Sequence, residues 1–234
     1  TEIYTLSLHD ALRSPYRGAN VVVNDFFPDR AENAVAKLLS ERLKGVAAVG
    51  DLTKRDTPAA LVAVAERHFG PVDILVNNAG VLAEGMPLKK FEELTDEDFD
   101  ANIALNYRAT MAMTRAVLAG MRTRRFGRIV NISSESWRIG LNLGLIAYAS
   151  AKAAAVSFTR HLAVEAGRDG ITVNALSLGA MNNWGYEEYA AKTTAVGRAG
   201  TPDDAGAAVA YLVSNEASWM TGQVIALNGG SQTV

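Results

Sequence analysis

Short apolar runs alternating with helix-period segments constrain this chain more than any other feature. Val21-Val22-Val23, Val72-Asp73-Ile74-Leu75-Val76, Arg128-Ile129-Val130-Asn131-Ile132 and residues 171–177 have the near-continuous apolar character of strands buried on both faces. Two further runs, 46–50 and 223–227, read the same way. Between them, apolar positions recur at helical spacing over 29–44 (Ala31, Ala34, Val35, Leu38, Leu39, Leu43), 56–69, about 96–122, 146–168 and 202–213. Gly45 is expected to stop the first of these helices. Asp96, Glu97 and Asp98 open the third, and Arg122, Arg124 and Arg125 close it, as the helix dipole favours. Strands alternating with helices in this way predict an α/β fold built on a parallel sheet covered on both faces.

Composition narrows the function. With 234 residues, 49% of them hydrophobic, the chain suits one globular domain with a sizeable core. A net charge of −2 gives no electrostatic case for nucleic acid or an anionic membrane. There is no cysteine, which excludes disulfides and thiolate chemistry. His9, His68 and His161 are scattered without metal-ligand spacing, so no metal site is expected. The apolar runs are short and broken by charges, and no basic-then-apolar leader opens the chain. A cytoplasmic location is the expectation.

Tyr148 and Lys152 stand four apart on a predicted helix and so share a face. A tyrosine hydroxyl ionises near pH 10, too high for easy proton transfer at neutrality. A nearby ammonium is expected to lower that value. Small residues around the pair (Ala149, Ser150, Ala151, Ala153) let a ligand approach. Taken alone the spacing carries little weight, since a surface pair has the same signature. Asn77-Asn78-Ala79-Gly80 ends one predicted buried strand, at the edge where open α/β sheets bind ligands. The bland alternative is a simple turn. Ser133 and Ser134 end another strand, upstream of Tyr148.

In order along the chain, Asp25, Asp51-Leu52, Asn77 to Gly80, Asn106, Ile129 to Ser134, Tyr148 to Lys152, Ile171 to Ala175, and Thr221-Gly222-Gln223 through Asn228-Gly229-Gly230 together resemble the short-chain dehydrogenase/reductase family. The resemblance covers about residues 18–230. It implies a single Rossmann-type doubly wound domain and an NAD(P)-dependent oxidoreductase that interconverts a secondary alcohol and a ketone. The implied catalytic set is Asn106, Ser134, Tyr148 and Lys152, with Ser133 and Ser136 as alternatives to Ser134. Tyr148 would be the general acid or base, Ser134 a hydrogen-bond partner of the reacting oxygen, and Lys152 the holder of the nicotinamide ribose. Asn106 would hold a backbone group and a water that relays protons to Lys152. Cofactor contacts are implied for Asn24, Asp25, Asp51, Leu52, Asn78, Ala79, Gly80, Tyr148, Lys152, Gly179 and Met181. Asp25 at a strand end suits the ribose hydroxyls of NAD and repels the 2′-phosphate of NADP, so NAD is preferred. The alternative for Asp25 is a helix-capping role. Trp137, Met181, Trp184, Tyr186 and Tyr189 fall in segments that line the substrate side, which implies a partly apolar small-molecule substrate. The stretches Val21 to Asp25 and Asp96-Glu97-Asp98-Phe99 are similar to 3-oxoacyl reductases. Pairing of the two long helices implies a homodimer or homotetramer. The alternative function is a non-catalytic binding or scaffold protein on the same fold.

Three departures from the family pattern stand out. Ser134 lies fourteen residues before Tyr148, one more than usual. Leu178-Gly179 replaces Pro-Gly, which is expected to loosen the nicotinamide loop. The glycine-rich phosphate loop is absent, because Gly18 is the first glycine. Residues 1–14 instead resemble translated sequencing-adapter oligonucleotide. The expectation is therefore a non-native segment at 1–14, an oxidoreductase domain at 15–234, and a first strand that is missing or replaced. Thr1–Leu8 has the β character to stand in for that strand.

Overall fold

The computed structural model describes residues 2–5, 19–82, 85, 86 and 88–233, without the side chains of 2–5 and Trp184. Seven parallel strands form one sheet in the order β3-β2-β1-β4-β5-β6-β7. They are β1 Glu2–Thr5, β2 Asn20–Asn24, β3 Lys44–Ala47, β4 Ile74–Asn77, β5 Gly127–Ser134, β6 Ile171–Leu178 and β7 Val224–Leu227. The doubly wound α/β architecture expected from the sequence is present. The strand order reverses at β1 and β4, which opens a crevice at their carboxyl ends.

The central position is filled. Ile3 pairs with Val22 on one side and Leu75 on the other, so neither β2 nor β4 loses its ladder partner. A stand-in strand running to Leu8 would leave only nine residues before Gly18, too few for a parallel crossover. In the structure β1 ends at Thr5 and β2 starts at Asn20, which leaves residues 6–19 to make the connection. That meets the dozen or so residues such a crossover needs. Apart from Glu2–Thr5, the expected non-native segment and His9 lie outside the described residues.

The helices are α1 Pro28–Ser40, α2 Thr57–Phe69, α3 Asp96–Ile103, α4 Ala109–Arg124, α5 Ile146–Ala166, α6 Glu187–Thr193 and α7 Pro202–Val213. Helices α1 and α7 cover one face of the sheet, where Ala34, Leu38, Val209 and Leu212 pack on Val21, Val23, Val76 and Val130. The other face is covered by α2, α4 and α5, where Leu61, Met113, Met121 and Leu162 pack on Val22, Leu75, Ile129 and Val173.

Two boundaries differ from the sequence expectation. Helix α1 ends at Ser40 and turns through Arg42, whose φ is 62°. Gly45 does not stop it but lies inside β3, which therefore starts earlier than expected. The glycine is needed for packing, since a Cβ there would sit 2.9 Å from Leu38 Cδ1. The long helix expected over 96–122 is interrupted by a π turn at Ala104–Arg108 before it resumes as α4. Its acidic start is also capped by a residue the sequence reading passed over: Thr95 Oγ1 accepts from Asp98 N at 3.3 Å, and Asp98 Oδ2 accepts from Thr95 N at 3.0 Å.

Candidate active site

The candidate site gathers at the carboxyl ends of β4, β5 and β6. A buried polar ladder sets helix α5 on the sheet there. Asn77 Nδ2 donates to Asn131 Oδ1 at 2.8 Å, and Asn131 Nδ2 donates to Thr159 Oγ1 at 2.8 Å. Thr159 in turn donates to the Ala155 carbonyl at 2.9 Å. Two turns back on the same face, Lys152 Nζ donates to the Ile132 carbonyl at 2.8 Å. Helix α5 is thus tied to two consecutive residues of β5. The sequence picks out Asn77 and Asn131 as motif residues but gives no sign that Thr159 receives the ladder.

Tyr148 sits one turn before Lys152, whose Nζ lies 5.6 Å from the Tyr148 ring centroid. Burial pushes the Tyr148 hydroxyl up to about 12, against a hydrogen bond from Ser134 that favours the phenolate. Burial alone pulls Lys152 down to about 8. The sequence expected the ammonium to lower the tyrosine value; here burial sets the direction, opposed by Ser134. Of the three candidate serines, Ser134 is the one bonded to Tyr148. Ser136 Oγ donates to Ser134 Oγ at 3.1 Å, and the Ser136 N–H reaches the same oxygen at 3.3 Å.

Asn106 lies in the π turn and is 1% exposed. Both its amide atoms are buried without a hydrogen-bond partner among the described residues. Such turns aim a side chain where a regular helix would not, and they recur at functional sites. Gly80 faces the same point. A Cβ on Gly80 would lie 2.8 Å from Lys152 Nζ and 3.0 Å from Asn106 Oδ1. Asn106, Gly80 and Lys152 therefore meet so closely that one added methyl group would push the lysine or asparagine end aside.

The other cofactor candidates divide into two groups. Asn78, Gly80, Gly179 and Met181 line the cleft together with Tyr148 and Lys152. The loop that follows Gly179 leaves the sheet from an anchored point, where the Gly179 N–H donates to the Leu227 carbonyl at 3.0 Å. Asn24, Asp25, Asp51 and Leu52 sit beyond β1, at the ends of β2 and β3. Asn24 Nδ2 donates to the carbonyls of Ala48 and Gly50 at 2.8 and 3.1 Å. Asp25 Oδ1 accepts from Phe27 N at 2.8 Å, just ahead of α1. Asp51 Oδ1 accepts from Thr53 N at 2.9 Å and Thr53 Oγ1 at 2.6 Å. Leu52 belongs to the core on the α2 face.

Glu135 escaped the sequence reading. It lines the cleft directly after Ser134 and is 4% exposed. Burial pushes its carboxyl up, but Arg138, Ser177 and Asn228 together hold it below the usual glutamate value. Glu135 Oε2 accepts from Arg138 Nη2 at 2.5 Å and from Asn228 Nδ2 at 2.8 Å. Of the expected substrate-side aromatics, Tyr186 and Tyr189 line the cleft. Trp137 is not among the lining residues and stacks under Arg160, at 5.5 Å from the ring centroid.

Residues 9–232 match the family model described as enoyl-(acyl carrier protein) reductase. Among curated proteins, the (2S)-[(R)-hydroxy(phenyl)methyl]succinyl-CoA dehydrogenase subunit BbsD of Thauera aromatica is 34% identical over 94% of this chain and 89% of its own length. An acetoacetyl-CoA reductase of Shinella zoogloeoides is 40% identical over 72% of this chain and 71% of its own. The hydroxynaphthalene reductase-like protein Arp2 of Metarhizium robertsii is 35% identical over 95% and 89%. A crystal structure from Agrobacterium tumefaciens, provisionally described as a gluconate dehydrogenase, superposes with a TM-score of 0.89 at 25% identity, covering 100% of this chain and 96% of that one.

Proposed function

This chain belongs to the short-chain dehydrogenase/reductase family of NAD(P)-linked oxidoreductases, and from that premise we propose that it interconverts a secondary alcohol and a ketone with Tyr148 moving the proton. The observation that carries the reading is the convergence of Tyr148, Ser134 and Lys152 on one cleft, with the unpartnered Asn106 amide behind them beside Gly80. In reduction Tyr148 donates its proton to the carbonyl oxygen, and Ser134 hydrogen-bonds the same oxygen as charge develops on it. Lys152, steadied by the Ile132 carbonyl, faces the ribose side and refills the tyrosine proton through a water held at Asn106. The bound nicotinamide supplies or accepts the hydride.

The high value at Tyr148 has a directional consequence. At neutral pH the hydroxyl is protonated, ready to act as an acid, so reduction proceeds without prior ionisation. Oxidation needs the phenolate and gains as pH rises.

Asn78, Ala79, Gly80, Gly179 and Met181 would hold the nicotinamide side, and Asn24, Asp25, Asp51 and Leu52 the adenosine side. The Asp25 carboxylate selects NAD over NADP. No glycine stands between Thr5 and Gly18, so the link from β1 to β2 offers no glycine-built cradle of amides for the pyrophosphate. This chain therefore binds the dinucleotide weakly, and sub-micromolar NAD binding in calorimetry would contradict that. Assembly as a homodimer or homotetramer is part of the same reading, and a clean monomer in size-exclusion chromatography would refute it.

Tyr148→Phe is the direct test. It removes the acid while keeping the ring, and should lower kcat/KM by about 10²- to 10⁴-fold with no loss of thermal stability. Unchanged NADH oxidation would transfer the role elsewhere.

A further inference from the structure

The cleft beside Tyr148 encloses about 400 Å³, the size of a small-molecule site. Its outer walls come from residues the proton chemistry does not use. Ile139, Leu141, Leu143 and Leu145 form one wall, every second residue of the segment leading into α5. Tyr186 and Tyr189, at the start of α6, form another. Leu143, Tyr186 and Tyr189 keep 45%, 40% and 53% of their surface exposed. Single exposed apolar residues need no explanation, but several facing one concavity do.

The leucine wall is held in place. Gly144 has φ +68°, and a Cβ there would lie 2.6 Å from Lys89 N and 2.8 Å from the Leu88 carbonyl carbon. The backbone carrying the leucines thus rests on the backbone of residues 88–89. Only glycine takes that conformation and that approach at little cost.

The outer walls have little to offer an anion. Of the two strongly ionisable lining residues, Glu135 carries the wrong sign and is bonded to Arg138 and Asn228, and Lys152 lies at the inner end, with one donor on the Ile132 carbonyl. Thr193 Oγ1 and Thr194 Oγ1 direct their protons to backbone, donating to the carbonyls of Tyr189 and Ala190 at 2.8 Å each.

We infer that this cleft takes a ketone or secondary alcohol bearing an uncharged, ring-sized hydrophobic body, seated between the Leu141-Leu143-Leu145 wall and the Tyr186-Tyr189 wall, and that it rejects anionic polyols. The inference rests on the alcohol–ketone reading and specifies its substrate class. It sets this cleft apart from a gluconate-type substrate despite the fold shared with the Agrobacterium protein. Burying about 100 Å² of ring surface corresponds to a roughly fiftyfold gain in affinity.

The test compares α-tetralone with 5-ketogluconate on the full chain, by equilibrium dialysis without cofactor and therefore without turnover. α-Tetralone should bind at least tenfold more tightly. Leu143→Asp, at a half-exposed position that leaves folding intact, should cost α-tetralone tenfold or more. Tyr189→Ser should weaken it from the opposite wall, a second check if the first variant misfolds. Equal or tighter binding of 5-ketogluconate, no detectable binding of α-tetralone, or indifference to both substitutions overturns the inference. A separate assay at saturating NADH distinguishes the two readings: α-tetralone that binds in the leucine-dependent way but is never reduced counts against the alcohol–ketone reading and leaves the cleft assignment standing.

Discussion

Replacing Lys152 with Met isolates what the buried ammonium costs the fold. Burial moves the Lys152 constant from 10.5 to about 8. At about 1.4 kcal/mol per pH unit, keeping that charge inside at pH 7 costs on the order of 3 kcal/mol. The sign follows from proton binding. Between pH 8 and 10.5 the unfolded chain holds the proton and the folded one has released it, so wild-type stability climbs with pH across this window. By pH 10 about 2–3 kcal/mol is recovered, a large share of an ordinary domain's stability. Met removes the charge at nearly constant volume, and the variant should lack this climb. It also strands the Ile132 carbonyl, at about 1–3 kcal/mol, but that loss is the same at every pH. Urea unfolding of both proteins at pH 7 and pH 10, followed by tryptophan fluorescence, gives the double difference, in which the carbonyl cancels. The stability of wild type relative to variant should improve by about 2–3 kcal/mol from the lower to the higher pH. A difference that does not change with pH would refute the argument that burial governs this lysine.

Gly80→Ala should cost about 1–3 kcal/mol of stability, because the new methyl pushes the Lys152 end off the Ile132 carbonyl, and lower kcat by about 10- to 100-fold through the same displacement of Nζ. Steady-state NADH oxidation with an accepted ketone reads it, and wild-type kcat would sink it. Asn106→Ala removes two amide atoms that make no bond within the described protein, so the melting temperature should hold or rise while kcat falls about tenfold or more. A drop in melting temperature with kcat intact would mean the amide serves the fold. Asp25→Ala should raise kcat/KM for NADPH relative to NADH at least tenfold, and an unchanged ratio would remove Asp25 from cofactor choice.

How far the sequence reached is plain from particular elements. Strands β4, β5 and β6 were legible because a strand covered on both faces must be apolar at nearly every position, and a run such as Ile74-Leu75-Val76 advertises that. Gly45 misled because a helix stop and a close strand–helix contact ask for the same residue. The π turn left no trace, since widening one turn changes which carbonyl an N–H meets without demanding any residue type. Tyr148, Lys152 and Ser134 stood out through their motif, and all three line one cleft. Glu135 and the leucine wall did not stand out, because their importance comes from what folds against them: Asn228 reaches Glu135 from 93 residues away. For the tyrosine, sequence shows which charges are near but not how much water is excluded, and burial is the larger influence on it here.

The π turn also bears on how this protein could be altered. A π turn takes up one extra residue in a widened turn, so removing one residue from Ala104–Arg108 would regularise the helix and leave α3 close to its present orientation relative to α4. What such a deletion would change is the place of Asn106, which the widened turn sets beside Gly80 and Lys152. A single-residue deletion there should therefore spare the fold and strike the site.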